Sequence, residues 1–464
     1  CKQPCLRLWI SSLTDEAITE GMANLLPCDR FDNLFLAADS RNRADWLLGV
    51  NSSYAICKAV GFGNNSLGRV QTPVLAEICR RYRERENHMP ADSWPVFISL
   101  CKNDRILKMR HVDDLVVRRE ALALYEDCKA AKSVRITAVG KRTEEIGAPA
   151  LYNLAELQKD ANRYHSLTAI QVQEIAQGLY EKKLISYPRT SSRLLPKDVY
   201  DTLPPVMEKM LSRKEFRQYA DTVDLAAPRD SIEAQDTMEH HAIIITGTQP
   251  GKLDREEMLV YTLIVGRMLE TFMPPCKVEY TTVDTVCAAR KFRIRTYRIL
   301  EKGWLGIFER EHLVAKGCMP YLVMPDLFQE EILPVAGCSL IHKKSLPVSP
   351  YTDEELVDYM DKAGLGTVST RTNILRTLLE RKYIHYSGKY VVPTPKGLFL
   401  YETVRSMKVA DASLTSGWET ELARIERGEL SQEKFLDGVL ETVNEVTGEI
   451  FRNHPVKKRP QGTT

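Results

Sequence analysis

The sequence predicts a multidomain α+β protein, on three observations. Its 464 residues suit about three domains. Helical and strand periodicities fall in separate blocks, with β-rich stretches at 93–140 and 277–300 and helical ones between. Residues 352–392 read as two helices and a hairpin, a winged helix-turn-helix. An apolar content of 44% and a charged content of 27% fit globular cores. No apolar run approaches the roughly 18 residues of a membrane span.

The elements follow in chain order. Leu6-Arg7-Leu8-Trp9-Ile10-Ser11 reads as a strand, so the chain is expected to begin inside a folded unit, as a fragment or a piece of a longer protein. Cys1 to Cys5 holds no apolar signal-peptide segment. Residues 44–60 read as a helix with Trp46, Leu47, Val50, Tyr54 and Ile56 among its apolar positions. The loop Gly61 to Gly68 is rich in residues that tolerate positive φ. Thr72-Pro73 then reads as an N-cap and a first-turn proline. Val74, Leu75, Ile78 and Cys79 make the buried stripe of that helix, and Arg80, Arg81, Arg83 and Arg85 its far end. With Arg69 and Gln71 beside it, this loop–helix joint can hold a phosphate through free N–H groups and the helix dipole. An ordinary joint carries the same signature.

Pro95 to Leu100 is one strand of the first β-rich block. Residues 150–184 return to helix, where Thr168 and Gln171 fit a capping box and Val172, Ile175, Ala176 and Leu179 repeat at helical spacing. Lys182 and Lys183 close its last turn, where cations suit the dipole. Ile185-Ser186-Tyr187-Pro188-Arg189-Thr190 follows directly. A tyrosine in a proline-constrained turn, two residues from an arginine, is built like a nucleophile for phosphate. A phenol of pKa roughly 10 attacks poorly unless a cation favours its charge, and a guanidinium grips phosphate oxygens. A ring packed on the helix beside a surface arginine would leave the same string.

Glu239-His240-His241-Ala242-Ile243-Ile244 comes 53 residues later, a histidine pair leading into a buried strand. No third Cys or His stands at a ligand spacing, so a phosphate contact suits His240 better than a metal. Phe292 and Ile294 face one way and Arg293 and Arg295 the other, as in a half-buried antiparallel sheet. In the winged part, Thr352 and Glu355 form a capping box, the helix stops at Gly364, and Ser369/Thr370 open the second helix. Arg371 and Arg376 lie on that second helix, and the hairpin turns at Ser387-Gly388. Eleven scattered cysteines with no Cys-x-x-Cys argue against a zinc ribbon and a disulfide framework. A net charge of +2 gives no strong push toward nucleic acid, so any such reading rests on local clusters.

Together these strings resemble the type IA DNA topoisomerases, in particular the topoisomerase III branch, from about residue 6 to about residue 450. The marks are Arg43-Ala44-Asp45-Trp46-Leu47-Leu48-Gly49-Val50-Asn51, Gly68-Arg69-Val70-Gln71-Thr72-Pro73, Ile185 to Thr190, His240 to Ile244, and Gly364-Leu365-Gly366-Thr367 through Thr370-Arg371. Proline after the tyrosine and the double histidine point to the topoisomerase III branch. The resemblance implies a torus. Its expected parts are an N-terminal remnant at 1–30, a DNA-binding body at 31–92 and 346–455, and a β-rich arch at 93–140 and 277–345. A mobile tyrosine-bearing domain at 141–276 and a basic tail at 456–464 complete it.

It also implies an ATP-independent isomerase that cuts one strand, passes another and reseals. Tyr187 is its expected nucleophile, with Arg189 and His240 beside the phosphate. Arg43, Arg69, Gln71, Thr72, Thr190, Ser369, Thr370 and Arg371 are its expected DNA contacts. The partners implied are single-stranded and underwound duplex DNA, with no membrane. A monomer associated with the nucleoid in the cytoplasm is expected.

The family binds Mg²⁺ through a glutamate and an Asp-x-Asp-x-x-x-Glu cluster in a Toprim domain. This sequence holds no Asp-x-Asp, so the Mg²⁺ ligands and most of that domain are expected to be missing, putting resealing in doubt. Trp9 and Ile10 are then expected to be exposed. Ser191-Ser192 replaces the family's usual aspartate–serine, with no loss of chemistry expected. The main alternative is a non-catalytic single-strand-binding remnant. A tyrosine recombinase is disfavoured because Tyr187 lies mid-chain and ahead of His240. A winged-helix regulator leaves the tyrosine string unexplained.

Overall fold

The structure is a computed structural model that describes residues 5–10, 15–61, 64–214, 216–224, 232–233, 240–320 and 324–454. The first long helix runs Asp32–Val60, twelve residues earlier than periodicity indicates. Its buried face carries mainly small residues, among them Ala37, Ser40, Ala44, Ser52 and Ala55, which give a weak apolar signal. Gly61 ends it in the left-handed region at φ 79°. Trp46, Val50 and Tyr54 point outward, 65%, 50% and 63% exposed.

The next helix is Gln71–Glu86, with Val70 as its N-cap. Thr72 therefore lies inside the first turn rather than capping it, and its Oγ1 accepts from Gly68 N at 2.9 Å. Val74, Leu75, Ile78 and Cys79 are buried as expected. They share one core with Leu48 and Ile56, and with Leu356, Leu375, Tyr383, Trp418, Phe435 and Val446 from the far end of the chain. The two halves of this body are thus joined by packing across more than 250 intervening residues.

The winged part forms as the sequence indicates. The Asp353–Lys362 helix has the Thr352/Glu355 capping box, and Gly364 follows it at φ 64°. The second helix is Val368–Glu380, capped by Thr367, so Ser369 and Thr370 sit within its first turn. Ile384–Ser387 and Tyr390–Pro393 form the hairpin, and Tyr351–Thr352 adds a third strand.

The β-rich block is the antiparallel, half-buried sheet expected, and it also closes on itself. Six antiparallel strands close into a barrel in the order Arg290–Glu301, Arg105–His111, Val96–Lys102, Ile332–Leu340, Ser133–Ile146, Cys276–Cys287, returning to Arg290–Glu301. Closure removes the sheet edges. Phe292 and Ile294 point inward with Ile98, Leu100, Met109 and Val283, while Arg293 pairs with Asp284 at 2.6 Å. Period-two alternation marks one face of a sheet, and nothing local marks whether that sheet closes.

A third core gathers the helices Leu154–His165, Ala169–Glu181 and Arg255–Thr271. Leu157, Val172, Leu179, Ile243, Ile245, Ile264 and Met268 fill it. Among the described residues the run after the histidines makes two isolated bridges, Tyr152 to Ile243 and Ile185 to Ile245. Leu6–Arg7 pairs with Leu26–Pro27, and Trp9, 38% exposed, stacks on Phe31 at 4.9 Å. The tail at 456–464 lies outside the described residues. Among those residues no helix is long and apolar enough to cross a membrane.

Candidate active site

The Ala169–Glu181 helix ends in a turn that aims the tyrosine string. Lys183 takes a left-handed φ of 58°, Lys183 N donates to Tyr180 O at 2.8 Å, and Leu184 N donates to Leu179 O at 3.0 Å. The chain reverses and carries Leu184 and Ile185 into the core. Tyr187 emerges half-buried. Its ring meets Tyr180 edge-on at 5.4 Å and lies 4.4 Å from the His240 ring.

Hydroxyls on either side of Tyr187 fasten it to the histidine segment. Ser186 Oγ donates to Ala242 O at 3.0 Å and accepts from Ile244 N at 2.9 Å. Ser186 N donates to Ile244 O at 2.8 Å. Thr190 Oγ1 donates to His240 O at 2.9 Å and accepts from Ser192 N at 3.0 Å. Residues separated by 50 to 58 positions are therefore held in one register. Thr190 is 2% exposed, so it positions His240 rather than facing solvent as a strand contact would.

Two polar atoms beside Tyr187 lack partners. Arg189 Nε and His240 Nδ1 are buried with no hydrogen-bond partner among the described residues. A buried unpaired donor costs about 1–3 kcal/mol unless a ligand satisfies it. His241 turns the other way, its Nδ1 meeting Ala242 O at 2.7 Å. Burial holds its pKa below the ordinary value, so it sits neutral in the core. The doubled histidine thus splits into one group facing the tyrosine and one facing the core.

The other predicted contacts are dispersed. Arg69 is 5% exposed, and its guanidinium is taken up by Asp45 at 2.7 Å and Glu419 at 2.8 Å. Burial opposes its charge, and the two carboxylates more than offset that and raise its pKa. Arg69 braces the body in this structure instead of offering a free fork. Arg43 is exposed and pairs with Asp39 one turn away, at 2.7 Å. Gln71 Oε1 accepts from Arg381 Nη1 at 2.7 Å, and that same nitrogen donates to Ser66 Oγ at 2.6 Å. Thr72 is buried on Gly68 N. Thr370 Oγ1 closes the cap of its helix by accepting from Thr367 N at 2.8 Å. The Ser369 side chain lies outside the described residues.

Arg371 is the exception among these. It is 7% exposed and meets Asp361 at 2.7 Å through Nη2, but its Nε and Nη1 have no partner among the described residues. Its helix is tied to the tyrosine-bearing helices by Gln158 Nε2 to Thr372 Oγ1 at 3.0 Å and by Arg376 to Glu174 at 2.5 Å. Sequence reasoning missed Ser186 and Arg381. A hydroxyl preceding the tyrosine was the available signal for the first, and none marked the second.

Among the described residues no group of three or more His, Cys, Asp or Glu side chains could hold a metal. The side chains present do not fit the acidic Mg²⁺ site that the resemblance implies.

A family model described as DNA topoisomerase matches residues 29–437. DNA topoisomerase 3 of Bacillus licheniformis is 29% identical over 97% of this chain, and DNA topoisomerase 3 of Bacillus thuringiensis 30% identical over the same share. The chain spans 65% of the length of each. DNA topoisomerase 1 of Methanocaldococcus jannaschii is 28% identical over 94% of this chain and 56% of its own length. In fold, the chain is similar to full-length topoisomerase I of Thermotoga maritima, with a TM-score of 0.76 over 95% of this chain and 73% of that one, at 20% identity.

Proposed function

The chain belongs to the DNA topoisomerase family, and from that premise we propose that it breaks and rejoins single DNA strands through Tyr187. The observation that carries this reading is Tyr187 packed 4.4 Å from the His240 ring, whose Nδ1 is buried and unpartnered among the described residues, with the likewise unpartnered Arg189 Nε two residues along the chain. In the cleavage step the Tyr187 oxygen attacks a backbone phosphorus. The bond to the 3′ oxygen breaks, and the 5′ phosphate stays on the tyrosine. The Tyr187 proton leaves as that bond forms, and the departing 3′ oxygen takes one up. Arg189 neutralises charge that builds on the phosphate oxygens. His240 donates to the phosphate or relays a proton to the leaving oxygen. The ester keeps the energy of the broken bond, so resealing needs no ATP. Arg371, with two unsatisfied donors, holds a neighbouring phosphate.

The substrates are single-stranded and underwound duplex DNA, handled by a monomer in the cytoplasm at the nucleoid. Passage of a second strand requires the tyrosine-bearing helices to part from the winged-helix element. A non-catalytic strand-binding protein is the second reading. It is favoured by the lack, among the described residues, of an acidic group able to hold Mg²⁺.

The test is a denaturant-resistant adduct with 3′-labelled single-stranded DNA. The wild-type chain is expected to form it. Tyr187→Phe is expected to form none while binding the same DNA within about twofold, since only the nucleophilic oxygen is lost. Tight binding with no adduct from the wild type would select the second reading.

A further inference from the structure

Away from Tyr187, a cavity of about 300 Å³ opens between the C-terminal end of the Gln71–Glu86 helix, the 348–350 segment and the wing hairpin. Tyr82, Arg85, Ser349, Ser387 and Tyr390 line it. Arg85 differs from the other arginines of its helix. Arg80 pairs with Glu77 at 2.7 Å, Arg81 with Glu355 at 3.3 Å, and Arg83 with Glu86 at 2.7 Å. Arg85 meets no carboxylate among the described residues and donates only to the Val348 carbonyl, at 3.1 Å. Lys389 Nζ stands 5.6 Å from the Tyr390 ring and likewise meets no carboxylate among them. The hydroxyls of Tyr82, Tyr390, Ser349 and Ser387 have no hydrogen-bond partner among the described residues.

Two aromatic rings, four free hydroxyls and one carboxylate-free arginine in this cavity, with Lys389 beside its Tyr390, suit a ligand with a flat apolar face, several polar edges and a negative charge. A nucleotide has all three. Stacking on tyrosine tolerates any base, and a guanidinium edge suits a phosphate. We propose that this cavity takes one nucleotide of the bound DNA strand, its base on Tyr82 or Tyr390 and its phosphate on Arg85. This rests on the reading that the chain binds single-stranded DNA. The fourteen-residue rise from Gln71 to Arg85 is about 21 Å, so only a strand of several nucleotides reaches from one to the other.

The experiment measures binding of fluorescent oligothymidylates of rising length to the full chain. Affinity is expected to step up about tenfold once the strand is long enough to reach the cavity. Tyr390→Ala and Arg85→Ala are expected to remove that step and leave the shortest strands bound as before. Arg85→Ala should also lower the salt dependence by about one phosphate. Arg85 is exposed, so its variant keeps the test valid if Tyr390→Ala disturbs the hairpin. A photoreactive base placed at the distal position should crosslink to Tyr82 or Tyr390. Variants that keep the step, a crosslink elsewhere, or protection of the cavity by a phosphopeptide and not by DNA would overturn the proposal. A chain that binds short strands without a step refutes the cavity alone, whereas one that binds no strand at any length refutes the DNA reading as well.

Discussion

Where the helices Leu154–His165 and Ala169–Glu181 face the winged-helix element, partly exposed ion pairs hold them; where Leu154–His165 and Arg255–Thr271 face Arg310, beyond the Arg290–Glu301 strand, a buried charge cluster does. At the first joint Lys159 meets Asp358 at 2.8 Å, Arg376 meets Glu174 at 2.5 Å, and Arg163 meets Glu354. Their side chains keep roughly a fifth to three-fifths of their exposure. At the second, Asp160 Oδ2 accepts from Tyr152 OH at 2.5 Å, Arg267 Nη2 at 2.7 Å and Arg310 Nη1 at 2.8 Å. Arg267 Nε also bonds Glu270 at 3.0 Å, and both arginines and Glu270 are at most 4% exposed. Phe308 packs so closely on Gly266 that a Cβ there would lie 1.9 Å from its ring.

The two joints differ in what separation would cost. Exposed pairs contribute little net stability and part into water. Separating the buried set would strand charges in a dry core. The ion pairs that link the tyrosine-bearing helices to the winged-helix element are thus weaker than those that link them to Arg310. Buried bonds also cross the first joint: Asp353 accepts from Ala169 N at 2.6 Å and from Tyr386 OH at 2.9 Å, and Gln158 Nε2 donates to Thr372 Oγ1 at 3.0 Å. Burial raises the Asp353 pKa against the pull of its donors.

The largest expected effect comes from breaking the buried joint. Arg310→Met leaves Asp160 and Glu270 to share one guanidinium and should cost about 3–5 kcal/mol in urea unfolding. A loss below about 1 kcal/mol would erase the contrast between the joints. Glu270 sharpens it through pH. Burial pushes its pKa from 4.5 up to about 7, so the folded chain keeps a proton that the unfolded chain releases. Stability from this group is full below about 4.5 and is lost as pH rises toward about 7. Glu270→Gln should flatten that slope and leave the variant about 2–3 kcal/mol more stable than wild type at pH 8. An unchanged slope would show that another group titrates.

Ser186→Ala touches neither joint. It strands Ile244 N in a part-buried site, at about 1–3 kcal/mol. The expected result is adduct formation slowed about tenfold with DNA affinity unchanged, and recovery in Ser186→Thr. Equal loss of affinity would make Ser186 a general structural residue. The smallest effect belongs to the exposed joint. Lys159→Ala should cost under about 1 kcal/mol, and less at high salt. A salt-independent cost of several kcal/mol would mean that this joint is as rigid as the other.

Much of this was legible from the chain. The Thr168 and Thr352 capping boxes, the Gly364 stop and the wing hairpin formed where local chemistry placed them. These depend on contacts within a few residues. The start of the Asp32–Val60 helix was hidden because its buried face is made of Ala and Ser. At the site, Tyr187, Arg189 and His240 could be picked out as residue types, whereas the Asp45 and Glu419 partners of Arg69, expected as a DNA contact, left no local signal.

The sequence by itself determined the family, through the order of its motif strings, and most of the helices and the wing hairpin, because periodicity, capping and turn chemistry are local. Tertiary structure alone decided that the strands close into a barrel, that His240 faces Tyr187 while His241 faces the core, and which arginines remain unpaired. Each of those outcomes depends on which distant side chain satisfies a buried polar group or a sheet edge, and sequence spacing carries no record of that choice.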